Sequence, residues 1–353
     1  MTHPYADLPS RAFWRSAVAE TPALDLQDIY RPRFPIPQDL PIAAAGSCFA
    51  QHIGRQFKQR GYRFLDVEPP PPLVSEDVRH AYGYDLYSAR YGNIYTIRQM
   101  RQLLERAVGT FDPVEQVWET DGRFHDPFRP TIEPTGFDSP EIVLASARAH
   151  LAAVRRLMGE ARLLVFTFGL TEGWLHRQDG TAFPTCPGTV AGEFDESRHE
   201  FHNFTVAEVM ADAEAVIALL RDQVPDMRFL FTVSPVPLTA TASGDHVLPA
   251  TTYSKSVLRA VCGELRERHE FVDYFPSYEL VSSHPMRAMF FAPNLRSVVA
   301  PGVQHVMEHF FAAHHGPELP ADGRPGRDER PEVPAATEDD VVCEEGLLEA
   351  FAQ

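Results

Sequence analysis

Ser47 and Cys48 stand side by side in Gly46–Ser47–Cys48–Phe49–Ala50, between the apolar run that starts at Pro41 and a segment of helical spacing. A hydroxyl and a thiol in such a turn are candidate nucleophiles. Phe49, Ile53 and Phe57 recur at helical intervals, polar residues fill the other positions, and Gly61 follows as a helix-ending residue. Ser47 is therefore expected at or just before a helix N-terminus, where unpaired N–H groups and the positive end of the helix dipole favour an alkoxide or a tetrahedral oxyanion. A plain N-cap role for Ser47, with Gly46 in a tight turn, accounts for the same local pattern. Cys48 adjoins the same terminus, a position that favours a thiolate. A small cysteine beside Phe49 equally suits a core, and neighbouring side chains diverge, so only one of the two faces the site.

Alternating elements must position that turn. The first strand is expected over residues 42–45. Helical spacing over 142–158 leads into the apolar run 162–169, and 206–220 leads into 227–235. A helix over 253–268 leads into 271–275, and a last helix over 301–313 opens on Pro301. Apolar strands alternating with helices predict a parallel sheet covered on both faces, with ligands beyond the carboxyl ends of the strands. Ser47, Gly169–Leu170–Thr171–Glu172, Ser234 and the stretch Ser277–Tyr278–Glu279 should then share one rim. Residues 65–138, with one clear helix over 98–107, and residues 173–203 read as insertions or lids over that rim.

The chain has 353 residues, 44% hydrophobic and 23% charged, with 31 prolines, about twice the usual share. A formal charge of −17 argues against nucleic acid or an anionic membrane as partner. Residues 316–353 carry eleven acidic side chains against three arginines and many prolines, so this tail is expected to be disordered. Val341, Val342, Leu347, Leu348 and Phe351 could form a short amphipathic helix for a protein partner. Four scattered cysteines, an N-terminus without a signal-peptide pattern and no long apolar window make a cytoplasmic protein the expectation. Neither G-x-G-x-x-G nor the Walker lysine motif occurs, and His176, His199 and His202 lack metal-ligand spacing, so no cofactor and no metal is expected.

Gly46–Ser47–Cys48–Phe49–Ala50 spells the name-giving motif of the GSCFA family. Tyr91–Gly92–Asn93–Ile94–Tyr95–Thr96, Gly169–Leu170–Thr171–Glu172, Ser234–Pro235–Val236–Pro237–Leu238, Tyr253–Ser254–Lys255–Ser256–Val257–Leu258–Arg259 and Tyr274–Phe275–Pro276–Ser277–Tyr278–Glu279 resemble its further blocks, in order, over roughly residues 35 to 315. Residues 1–34 would then be an N-terminal extension. The family in turn resembles the SGNH, or GDSL-like, hydrolases. That resemblance implies a flavodoxin-like three-layer α/β/α sandwich and a serine esterase, acyl hydrolase or acyltransferase working on a small or carbohydrate-linked ester. Ser47 would be the nucleophile, although laying G-D-S on Gly46 puts Cys48 at the serine place. Gly92, Asn93, Gly169, Thr171 and Glu172 would form the oxyanion and substrate blocks, with threonine standing where SGNH enzymes carry asparagine.

The last block departs from the pattern: Asn294–Leu295–Arg296–Ser297 stands where SGNH enzymes carry D-x-x-H. A serine hydroxyl is a weak nucleophile without a base. His305, one turn into the final helix, and His284, in the loop after the fourth strand, are the candidate bases. Each also has an ordinary reading, as a packed helix residue and an exposed loop residue. Glu172 and Glu279 could orient a histidine or pair with an arginine such as Arg259. Lys255 and Arg259 could bind an anion or face solvent. A non-catalytic binding protein for a glycan or an acyl carrier, with a degenerate SGNH pocket, is the alternative to the esterase.

Overall fold

The computed structural model describes residues 3–314 and 344–351. The tail expectations fall mostly on residues outside this range; residues Glu344–Phe351 form a 3-10 helix. In chain order the elements are β1 (Ile42–Gly46), α1 (Phe49–Gln59), α2 (Glu76–Ala81), α3 (Ile97–Val108), β2 (Trp118–Thr120), β3 (Arg123–His125) and α4 (Pro140–Glu160). Then follow β4 (Leu163–Phe168), β5 (Glu172–His176), β6 (Ala182–Phe183), β7 (His199–Asn203), α5 (Val206–Gln223), β8 (Arg228–Val233), α6 (Val247–Arg268), β9 (Val272–Tyr274), α7 (Ser277–Ser282) and α8 (Ala300–Ala313).

The expected alternation produces a four-stranded parallel sheet in the order β1-β4-β8-β9. A single parallel bridge, Ile42 to Phe64, extends it beyond β1, so the spatial order is that of a flavodoxin-like doubly wound sheet. Alternate strand residues feed two cores. Ala43, Ala45, Leu164, Phe166, Phe168, Phe229 and Phe231 pack with α3, α4, α5 and α6. Ile42, Ala44, Leu163, Val165 and Leu230 pack with α1, α7 and α8. Both faces are therefore covered, which is why the strands read as near-continuous apolar runs. Phe168 meets Phe166 and Phe231 edge-on at 4.9 and 5.3 Å, and burying each such ring contributes about 1.5–3 kcal/mol.

Three details exceed the sequence reading. Helix α6 starts at Val247, before the expected 253, because the His246 side chain accepts the Leu248 N–H at its start. Residues 172–203 contain a three-stranded antiparallel sheet, β6-β5-β7, and residues 118–125 a hairpin. Leu26, Tyr30, Phe34 and Ile36, ahead of β1, are buried in the core of the α1–α8 face. Tyr30 reaches the far edge of the sheet, where its hydroxyl donates to Asp273.

Candidate active site

The turn from β1 into α1 is fixed by backbone contacts on two sides. Gly46 has φ of +135°, and its carbonyl accepts the Ile94 N–H at 2.9 Å. A side chain there would place its Cβ 2.4 Å from the Thr167 carbonyl oxygen, so only glycine fits. The Ser47 N–H donates to that Thr167 carbonyl at 3.2 Å. Gly169 closes the other side: a Cβ at that position would lie 3.0 Å from the Ser47 Cβ and 2.8 Å from the Tyr95 carbonyl. The N–H groups of Gly169 and Leu170 both donate to the Tyr95 carbonyl at 3.1 Å. The first, second and third sequence blocks therefore meet at Ser47.

Ser47 is 3% exposed, and its Oγ has no hydrogen-bond partner among the described residues. The Thr167 hydroxyl, on the register partner of Gly46, is likewise unpartnered. Helix α1 has Cys48 at its cap position with no side-chain capping bond, so the N-cap account of Ser47 does not describe this turn. Cys48 itself is buried.

The neighbouring blocks divide into committed and open donors. Asn93 is buried, and its Oδ1 accepts from the Tyr87 hydroxyl and from Gln51 Nε2 on α1. Gly92, with φ of +67°, donates its N–H to nothing among the described residues. Thr171 gives its hydroxyl to Asn203 Oδ1 at 2.6 Å and its N–H to Ser254 Oγ at 2.9 Å. The Thr171 hydroxyl, expected in the oxyanion block, is thus already bonded within the protein, as is the Ser47 N–H. Glu172 accepts from the Thr241 hydroxyl at 2.7 Å, and burial pushes its carboxyl up. Lys255 is 2% exposed on α6, and its Nζ donates to the Gly169 carbonyl at 2.5 Å. The spacing of Lys255 and Arg259 admitted a solvated face; Lys255 is instead buried at the rim, one residue from Ser254. Asn203 had no signal of its own, and Ser254 stood only as one residue of a family block, because their partner, Thr171, lies far away in sequence.

The GSCFA family model matches residues 41–310, most of the chain. The chain belongs to the GSCFA family. No curated protein matches it. The GSCFA match spans all four sheet strands and every rim residue named above.

Within this GSCFA domain the two histidine candidates sit on the α8 side of the sheet. The His305 ring stacks on Phe290 at 4.9 Å and meets His309 at 4.4 Å. Burial first, and His309 second, lower its pKa, so the imidazole is neutral at pH 7, with a buried Nε2 that has no partner. His284 is exposed and stacks on Trp14 at 5.2 Å. No hydrogen bond joins either ring to Ser47. Glu279 takes the ion-pair option, bound to Arg259 Nε at 2.6 Å and to the Tyr274 hydroxyl at 2.7 Å. His199 and His202 bond Glu115 and Glu208 respectively, and among the described residues no cluster of three or more His, Cys, Asp or Glu is arranged to hold a metal ion. No described helix is long and apolar enough to cross a membrane.

Proposed function

We propose that this GSCFA chain is an SGNH-like serine acyl-ester hydrolase or acyltransferase, acting on a small or carbohydrate-linked ester through Ser47. The observation that carries the reading is the Ser47 hydroxyl: buried, bonded to nothing among the described residues, and set at the carboxyl edge of a parallel sheet. A serine kept only for capping would bond an N–H of the first helical turn. The Ser47 oxygen attacks the acyl carbonyl carbon as its proton passes to a base. The base returns that proton to the departing alkoxide, and water or an acceptor hydroxyl then takes the acyl group from the serine. The open Gly92 N–H supports an oxyanion role for the second block.

Lys255 is assigned as the base. Ser–Lys pairs replace Ser–His pairs on several folds. Its anchor, Gly169, abuts the Ser47 Cβ, whereas His305 is held between Phe290 and His309. Fluorophosphonate labelling followed by peptide mapping tests the nucleophile and should mark Ser47. Lys255→Met should lower ester turnover by about a thousandfold or more, and His305→Gln by less than about tenfold. The opposite ranking returns the base to His305. No labelling together with no turnover of p-nitrophenyl or acetylated-sugar esters makes the glycan- or acyl-carrier-binding reading the better one, which the absence of a hydrogen bond from the Ser47 hydroxyl to Lys255 or to any histidine among the described residues also favours.

A further inference from the structure

A second polar centre lies behind the Asn93–Ile94 block, among α3, α4, the segment between β3 and α4, and β6. It surrounds a cavity of about 30 Å³, room for roughly two or three waters and therefore for a ligand of only a few heavy atoms. Its apolar walls include Ile94, Phe128 and Pro184.

Three polar side chains on its lining are incompletely used. The Arg106 guanidinium lies 3.5 Å from the centre of the Phe128 ring and makes no ion pair or side-chain hydrogen bond among the described residues. Burial lowers its pKa to about 10, which leaves it charged at pH 7. Gln99 spends its Oε1 on the N–H groups of Tyr95 and Thr96 and on the Thr96 hydroxyl. That pattern fixes the amide orientation, and its Nε2 donates to nothing among the described residues. His150 is 3% exposed, its Nδ1 bonds Glu68 at 2.7 Å, and its Nε2 is buried without a partner.

The protonation of His150 decides what that Nε2 can do. Burial, then the Arg129 charge, lowers its pKa to about 4, so the ring is neutral. Burial raises the Glu68 carboxyl, but the His150 bond, Arg129 and the Arg90 N–H outweigh it and keep Glu68 ionised. The one ring proton therefore sits on Nδ1, facing the carboxylate, and Nε2 is an acceptor. Arg129 is not available to a ligand: it is bonded to Asp126 at 2.9 Å and to the Arg90 carbonyl.

A cation, an unspent amide donor and an unspent acceptor around a volume of a few atoms describe an anion that also carries a hydroxyl. We propose that this cavity binds a two-carbon hydroxy-carboxylate of glycolate size, its carboxylate held by Arg106 and Gln99 Nε2 and its hydroxyl donating to His150 Nε2. Asn93 and Ile94 of the second block line this cavity too, but none of the three proposed ligand contacts is a residue of the Ser47 mechanism, so the proposal does not rest on the esterase reading.

Isothermal titration of the full chain at pH 7.5, with glycolate and acetate as probes in chloride buffer of matched ionic strength, tests it. Glycolate should bind saturably with one site per chain, and acetate at least about fivefold more weakly for want of the His150 bond. Gln99→Glu keeps the capping oxygen of α3 but replaces the donor by a charge, so it should weaken glycolate at least tenfold. Arg106→Met should do the same, and Gln99→Glu carries the test if that variant fails to fold. Ser47→Ala should bind as wild type. Absence of a saturable heat, equal affinity for acetate, or unchanged binding by Gln99→Glu would overturn the proposal. Loss of binding in Ser47→Ala would also overturn it, by moving the ligand to the other site.

Discussion

Two buried polar residues at opposite edges of the sheet are treated in opposite ways. At β9, Asp273 is 0% exposed, and its carboxylate accepts four donors: the Tyr30 hydroxyl, the Arg33 N–H, Arg266 Nε and its neighbour's Tyr274 N–H. At the end of β1, Ser47 is almost as buried and its hydroxyl is bonded to nothing among the described residues. Leaving a buried hydroxyl unpaired costs about 1–3 kcal/mol, so a chain that completes the Asp273 shell tolerates a local loss at Ser47. Asp273, which ties the N-terminal segment to β9, is saturated, and Ser47, the nucleophile proposed above, is not.

The sharpest way to break this contrast is to remove each group in turn. Asp273→Ala leaves the Tyr30 hydroxyl and the half-buried Arg266 without their acceptor, and breaking a charge pair costs up to about 3–5 kcal/mol where both partners are buried, somewhat less here. Urea unfolding should show that loss. Ser47→Ala removes a group that bonds nothing, so its unfolding free energy should stay within about 1 kcal/mol of wild type while ester turnover disappears. A Ser47→Ala protein as unstable as Asp273→Ala would make Ser47 a structural residue and end the contrast.

Gly46 tests whether the reactive turn is set by backbone packing. Alanine at φ of +135°, with its Cβ 2.4 Å from the Thr167 carbonyl oxygen, should cost more than about 3 kcal/mol through strain and the forced separation of β1 from β4. Circular dichroism melts read the loss directly. A stability equal to wild type would mean that the turn relaxes freely and does not position Ser47.

His150 extends the contrast to a polar group whose proton count differs between folded and unfolded chain. Its pKa falls from 6.5 to about 4 on folding, so at intermediate pH the unfolded chain binds the extra proton. Its stabilisation is complete above pH 6.5 and is lost as the pH drops from there towards 4, by about 2 kcal/mol at pH 5. Glu68, held down by the same bond, loses stabilisation in the same direction. His150→Gln should flatten this part of the stability–pH curve measured by urea unfolding. An unchanged curve would place the acid sensitivity elsewhere.

The sheet was legible because β1, β4, β8 and β9 are covered on both faces, and their apolar runs carry that fact without reference to any partner. The place of Ser47 at the end of the first strand was legible for a related reason: a glycine and a small polar residue interrupt the first run at its carboxyl end. Lys255 was half legible, since helical spacing fixed its helix but could not tell a buried face from a solvated one. Thr171 illustrates what was not. Its commitment to Asn203 and Ser254 depends on chain segments more than thirty and eighty residues away brought together by β7 and α6. The antiparallel sheet β6-β5-β7 escaped for the same reason, being made of short strands whose pairing crosses long loops.

Thr167 gives the smallest expected effect and the most discriminating one. Its hydroxyl is fully buried beside Gly46, unpartnered like that of Ser47, yet it lies within the strand instead of at its end. If an unpaired buried hydroxyl marks reactivity only where the chain turns towards the rim, Thr167→Val should keep the shape, remove the desolvated oxygen and raise the unfolding free energy by up to about 1 kcal/mol. Ester turnover should change by less than about threefold, since no bond to a reacting group is lost. A large fall in turnover with unchanged stability would instead place the Thr167 hydroxyl in the chemistry. The open polar atoms at the end of β1 would then form a pair acting together, and the contrast with Asp273 would separate two sites instead of two residues.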